Sequence, residues 1–294
     1  MRCTLIETSP ATGPATGRVA APDLSVLPLD RLQAMQQAGL EIIECYRVLN
    51  KAGLNIVGEV LRDALNRGET FYEYNHYPDD DVYDDERHAQ YYYHAHRGEV
   101  GEHGHFHTFL RPQGMPEGAM PIDHPASCPW PHLRHVTGEA SRLREEVRGG
   151  HSRTRGLSPT VSWPQGDEAL SHLIAIAMDG YGYPTGLFTT NRWVTAEAWY
   201  SAEQVIRMLD CFAIDHAYPS WPVNRWISAM FVLFRPHIEA LLEQRDAAVR
   251  TWAAAYPDQD VFEDRKLDIT SQMAISVDDT LREVELAIAA AISA

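Results

Sequence analysis

The chain has few cysteines, and none are paired in sequence. Cys3, Cys45, Cys128 and Cys211 are all it has, and none stands in a CxxC spacing. That removes zinc-ribbon and thioredoxin chemistry. Four scattered thiols in 294 residues fit a reducing compartment rather than a disulfide framework. Basic residues are also in short supply: 25 Lys and Arg stand against 41 Asp and Glu, a formal net charge of −16. Such a surface repels a phosphate backbone, so nucleic acid is not an expected partner. Long apolar runs are missing too. The longest, near Ile227 to Phe234, is about eight residues, whereas crossing a bilayer takes about 20. The opening MRCTLIETSPATGPATG lacks a basic segment followed by an apolar one, so no signal peptide is expected. These absences point to a cytoplasmic protein without a membrane partner.

Several catalytic signatures are absent as well. There is no HExxH, no GxSxG elbow, no P-loop and no CxxCH, so zincin, α/β-hydrolase, nucleotide and haem-attachment readings have no support. What the chain does have is histidine. Five of its fourteen lie between Tyr91 and Arg111, in YYYHAHRGEVGEHGHFHTFLR. His94 and His96 are two apart; so are His103, His105 and His107. A period of two is the strand signature, and the RGEVGE between the sets predicts a β-hairpin.

Register decides whether the two sets meet. Pairing His94 with His105, or His94 with His107, leaves an even loop and gathers all five imidazoles on one face. An odd loop would send the sets to opposite faces. His94, His96 and His105 are central in either register and are the expected first ligands, with His103 or His107 added according to register. The other face reads Tyr91, Tyr93, Ala95, Gly104, Phe106 and Thr108, a face that can pack. Neutral imidazoles at this spacing suit Fe, Zn, Cu or Ni, and their binding is expected to weaken as pH falls through about 6.5.

Residues 1–23 are rich in Pro, Ala, Thr and Gly and are expected to form a mobile tail, leaving 24–294 as a single domain. Two helical faces follow: Leu32, Met35, Ile42, Ile43, Tyr46 and Leu49, then Leu54, Val57, Val60, Leu61, Ala64 and Leu65, with Gly68 placed as a stop. Phe71 to Asp85 carries an acidic cluster without EF-hand spacing. It is read as a solvated loop, or as a carboxylate arm beside the histidines, with His76, Asp81 and Asp84 as candidates. Six prolines between 111 and 136 predict a long loop. His124, His132 and His135 are weak candidates there, and a short helix is expected over 140–147.

A second hairpin is expected over 172–193, from HLIAIAMD and TGLFTTNRWV about a GYGYP turn. Strict alternation puts His172 with Ile174, Ile176 and Met178, and Leu173 with Ala175 and Ala177. Arg192, near the end of this run, is a candidate carboxylate or phosphate clamp, although an ion pair is the commoner role for such a residue. Ser201 with Gln204 predicts a helix start. Pro236 should kink or split the long helical stretch Val223–Tyr256, and Ser276 with Asp279 should cap the last helix. The resulting fold class is α+β: a small antiparallel sheet of at least four strands, built from two hairpins (about 91–111 and 172–193) packed with N- and C-terminal helices.

The strings HAHRGEVGEHGHFHTF, LFTTNRWVT and VNRW resemble an uncharacterised bacterial family, a domain of unknown function. The resemblance runs from about residue 30 to the C-terminus and implies no activity. From the residues themselves, the leading expectation is a metal-dependent enzyme, oxygenase- or hydrolase-like, acting on a small-molecule substrate. Glu102, or an acid of the Asp79–Asp85 group, would complete a two-His-one-carboxylate site, although on an uninterrupted strand Glu102 faces away from His103, His105 and His107. The alternatives are a non-catalytic metal-binding or sensing protein, and an interaction domain whose histidines are merely packed.

Overall fold

The computed structural model describes residues 17–70, 75–95, 102–122 and 168–293 of the chain. The core is organised around one six-stranded sheet. Its strands β1 (Tyr77–Tyr83), β2 (Ala89–Ala95), β3 (Gly104–Leu110), β4 (Ser171–Met178), β5 (Pro184–Thr190) and β6 (Ile269–Ala274) lie side by side in chain order. Each pairs antiparallel with its neighbour. Both expected hairpins are present, and the fold is α+β. Two strands were not foreseen. β1 lies inside the acidic segment, and β6 lies in the run leading to the last helix.

The first two helices form where the apolar periodicity placed them, although Ile43, Leu54 and Leu65 of the expected faces are exposed, and the expected second strand of 172–193 stops at Thr190, where a short helix takes over at Arg192. α1 (Leu29–Lys51) buries Leu32, Met35, Ile42 and Leu49. α2 (Ile56–Asn66) starts on Asn55, whose side chain accepts the Gly58 N–H at 2.7 Å. It stops at Gly68, whose φ of +67° suits a residue without Cβ. After β5 come the short α3 (Arg192–Thr195) and α4 (Ala202–Met208), then α5 (Trp221–Leu233) and α6 (Arg235–Ala255). The break expected at Pro236 falls between these last two helices, at Phe234. The predicted caps are present: Ser201 Oγ accepts from Gln204 N at 3.4 Å, and Ser276 Oγ accepts from Asp279 N at 3.2 Å at the head of α7 (Val277–Ser293).

The sheet's two faces differ in what they meet. On one face the Tyr91 hydroxyl donates to Asn224 Oδ1 of α5 at 2.6 Å, Phe106 meets Trp226 of α5, and Ser271 Oγ donates to the Leu241 carbonyl of α6 at 2.8 Å. Tyr91, Tyr93, Phe106, Ile174, Ile176 and Trp226 all belong to the main apolar core. A second cluster gathers Trp199, Val249, Trp252 and Phe262. Of the expected tail, 1–16 lie outside the described residues; Arg18 makes a parallel bridge to Gln272 of β6. The proline-rich loop beyond Ile122, the helix expected over 140–147, and His124, His132 and His135 also lie outside them. Cys45 and Cys211 are free thiols. Among the described residues, no helix is long and apolar enough to cross a membrane.

Candidate metal centre

The histidine face is the sheet's other face. β2 and β3 pair with His94 opposite His105 and Tyr92 opposite His107, the first of the two even-loop registers. Gly104 permits the close approach at this end. A Cβ there would sit 2.0 Å from the His94 carbonyl and 2.7 Å from the Tyr93 hydroxyl, so no other residue fits without moving the strands. His94, His105 and His107 then converge, each offering one ring nitrogen, with the three atoms within 4.8 Å of one another. A shared ion at 2.0–2.1 Å needs nitrogens about 3.3 Å apart. Rotamer adjustment of about 1 to 1.5 Å therefore closes the set.

The partners of these rings bear on which nitrogen is left for an ion. His105 Nδ1 lies 2.9 Å from Glu102 Oε1. A carboxylate only accepts, so Nδ1 carries the proton and Nε2 the lone pair. His107 Nδ1 lies 3.0 Å from His172 Nε2; with His107 as the donor, its Nε2 keeps the lone pair. A metal-binding imidazole characteristically gives its second ring nitrogen to a carboxylate or another acceptor in this way. Glu102 therefore stands beside the group as the partner of His105 and is not among the three residues whose ligand atoms converge. Its position just ahead of β3 frees it from the alternation that would have turned it away.

His107 is 2% exposed and His172 3%. Burial, reinforced by the neighbouring imidazoles, holds His107 well below the ordinary histidine range. Burial, with Arg245 nearby, brings His172 down to about 3. Both rings are neutral at pH 7, the state that ligation requires.

His172 is on this face because β4 does not alternate strictly. Thr108 pairs with Ile174, but Phe109 pairs with His172, so Leu173 is an extra residue. A one-residue bulge inverts everything beyond it. Leu173 and Ile174 both enter the main core, while Ala175 and Ala177 pack with Phe188 on the histidine side. This corrects the strict reading, which grouped His172 with Ile174 and Leu173 with Ala175. The Thr108 hydroxyl, 2.6 Å from the Ile174 carbonyl and 3.2 Å from its N–H, fills the gap in the ladder.

β1 brings the acidic arm alongside. Its ladder shifts register between Tyr77 and Val82, and Asp81 in that interval has φ +58°. Asp81 Oδ1 meets His76 Nδ1 at 2.7 Å, and Oδ2 accepts from Gln90 at 2.6 Å; Gln90 in turn accepts from Arg111 at 2.9 Å. The His76 ring stacks on Tyr92 at 3.6 Å and lies 5.1 Å from that of His94. His76 and Asp81 are therefore at the site. Asp84 is not: its carboxylate is spent on the backbone N–H groups of Glu86, Arg87 and Asp215.

The other expected residues are placed as follows. His103 lies ahead of β3, and its Nδ1 meets the Tyr93 hydroxyl at 2.9 Å, which draws it toward the helix-covered side and away from His105 and His107. His96 lies outside the described residues. Arg192 is 2% exposed and paired with Glu263. His172 was missed as a site residue because alternation pointed it the wrong way, and no local residue signals the bulge.

No curated protein and no solved structure matches the chain. A family described as Domain of unknown function (DUF6969) matches residues 36–141 and 148–275. That is well over half of the sequence, and the chain belongs to this DUF6969 family.

Proposed function

We propose that the protein is a metal-dependent enzyme whose centre is held by Nε2 of His94, His105 and His107. The observation that carries this reading is the convergence of three imidazole nitrogens, with Glu102 and His172 each occupying the Nδ1 of a converging ring. A cluster of merely packed histidines has no need of that orientation. Three neutral ligands leave the charge of a divalent ion uncompensated, and Glu102 is engaged on His105. The donor set is then three imidazoles rather than two with a carboxylate, which favours hydrolase-like over oxygenase-like chemistry. When bound, the ion would act as a Lewis acid and activate water near neutral pH. His76, aligned by Asp81, is the adjacent imidazole for passing a proton to or from a small-molecule substrate.

The test uses protein purified without an affinity tag, titrated with Zn(II) and Co(II). One equivalent should bind, and the double substitution His105→Ala with His107→Ala should abolish it. Added azide should then change the Co(II) visible spectrum, because an open coordination position accepts an anion. Absence of stoichiometric metal in the wild type overturns the site. Metal that binds but ignores azide overturns the enzyme reading in favour of a non-catalytic metal-binding or sensing protein.

A further inference from the structure

Glu197 is buried at 2% exposure, 25 residues along the chain from His172, and its carboxylate accepts the backbone N–H of His172. That N–H belongs to the bulge, where a strand ladder leaves a donor without its usual partner. An unmatched buried donor is costly, so an acceptor at this point decides whether the bulge is tolerated. The loop bearing Glu197 is built to deliver it. α3 ends on Ala196 in the left-handed region, φ +56°, which turns the chain back toward β4. Ala198 N then donates to the Leu170 carbonyl at 3.0 Å, and the Trp199 carbonyl accepts from Ile122 N at 2.8 Å. The loop is thus turned at Ala196 just before Glu197 and pinned by two backbone hydrogen bonds just after it.

We propose that Glu197 is a positioning residue for the metal centre: it holds the β4 bulge that places His172 against His107. The inference rests on the metal reading above, since its consequence is metal affinity. The chain of action is short. The carboxylate fixes the His172 N–H, and the bulge puts the His172 ring on the histidine face. His172 Nε2 then engages His107 Nδ1, and His107 Nε2 is presented to the ion. Support of this kind is worth roughly 10- to 100-fold in metal affinity. Arg192 and Arg245 also act on Glu197 electrostatically, so the competing account is that the carboxylate serves only as their counter-charge.

The two accounts separate in Co(II) affinity measured by titration. His172→Phe, which keeps an aromatic ring and loses the ring nitrogens, should weaken binding about 10- to 100-fold. Glu197→Ala should do the same, and the double variant should be no weaker than the weaker single, because both act through one contact. Glu197→Gln keeps an oxygen at the right reach and should stay within about threefold of wild type. Glu197→Asp keeps the carboxyl group but falls one methylene short, and should bind weakly. If Glu197→Asp binds like wild type while Glu197→Gln does not, an ionisable carboxyl facing Arg192 and Arg245 is what matters, not its reach to the His172 N–H, and the proposal is overturned. It is overturned equally if the losses in the double variant multiply. Should Glu197→Ala not fold, the Asp and Gln pair decides alone. Should the wild type bind no metal, the earlier reading fails, and amide exchange tests this one separately. The His172 N–H should exchange slowly in wild type and Glu197→Gln but faster in Glu197→Asp. Equal rates in all three would overturn it.

Discussion

The buried imidazoles give the protein a specific dependence of stability on pH. His107 is held well below the ordinary range, His172 at about 3 and His237 at about 4, in each case first of all by burial. In the unfolded chain all three return to about 6.5. A group whose folded pKa is depressed stabilises the native state above the unfolded value, and that stability is lost as pH falls. Glu197 runs the other way: burial pushes it up to about 8, so its contribution is present at low pH and is lost as pH rises from about 4.5 to 8. The two trends cross near pH 7, where stability should peak. Between pH 6 and 5 the unfolded chain carries about 2.3 to 2.9 protons on these histidines, while the native state keeps about one on Glu197. The net difference, about 1.3 protons at pH 6 and about 1.9 at pH 5, gives a slope that steepens from about 1.8 to about 2.6 kcal/mol per pH unit. Urea denaturation at pH 8, 7, 6 and 5 reads it directly. His237→Gln should reduce the acid slope by about one proton, or about 1.4 kcal/mol per pH unit, without touching the metal centre. A profile that is flat from pH 7 to 5, or one that His237→Gln leaves unchanged, would refute the assignment of neutral buried imidazoles.

Other expectations concern the same architecture. Zn(II) at about a hundredfold over its Kd should raise unfolding stability by about 2.7 kcal/mol, seen as a rise in Tm that EDTA reverses and that His105→Ala with His107→Ala removes. Glu102→Ala should weaken metal binding about 10- to 100-fold by freeing the His105 ring, with little change in apo stability because Glu102 stands at the rim; titration of apo-protein checks both halves. Trp226→Ala should cost about 3 to 5 kcal/mol, measured by denaturation, since the ring is fully buried against Phe106. Burial pushes the Cys45 thiol up to about 11, so at pH 8 a thiol reagent should label Cys211 well before Cys45, as peptide mapping would show.

The centre was legible in the sequence to the extent that it obeys alternation. His94, His105 and His107 fall on one face because β2 and β3 are regular, and an even loop was enough to require it. Tyr91, Tyr93 and Phe106 were legible as the packing face for the same reason. The choice between the two registers was not, since both satisfy the same parity. β1 was obscured because Pro78 and three successive aspartates interrupt its pattern, leaving Tyr77 and Val82 as its core anchors on either side of a register shift. A segment that spends its middle on a carboxylate for His76 cannot also read as a strand.

The same trade explains His172. The bulge at Leu173 exists because the main core takes two consecutive residues there, Leu173 and Ile174. It is tolerated because Thr108 and Glu197 supply hydrogen-bond partners from a neighbouring strand and a distant loop. Neither condition is local, so no window of sequence around His172 contains it. The groups that orient the cluster share this character. Glu102 sits just ahead of a strand, Asp81 lies in a shifted ladder and His172 beside a bulge; each stands where alternation stops. A regular sheet can set ligands at fixed spacing on one face. Turning their second ring nitrogens onto acceptors requires side chains that leave the pleat, and in this chain those departures come at the ends and irregularities of the strands.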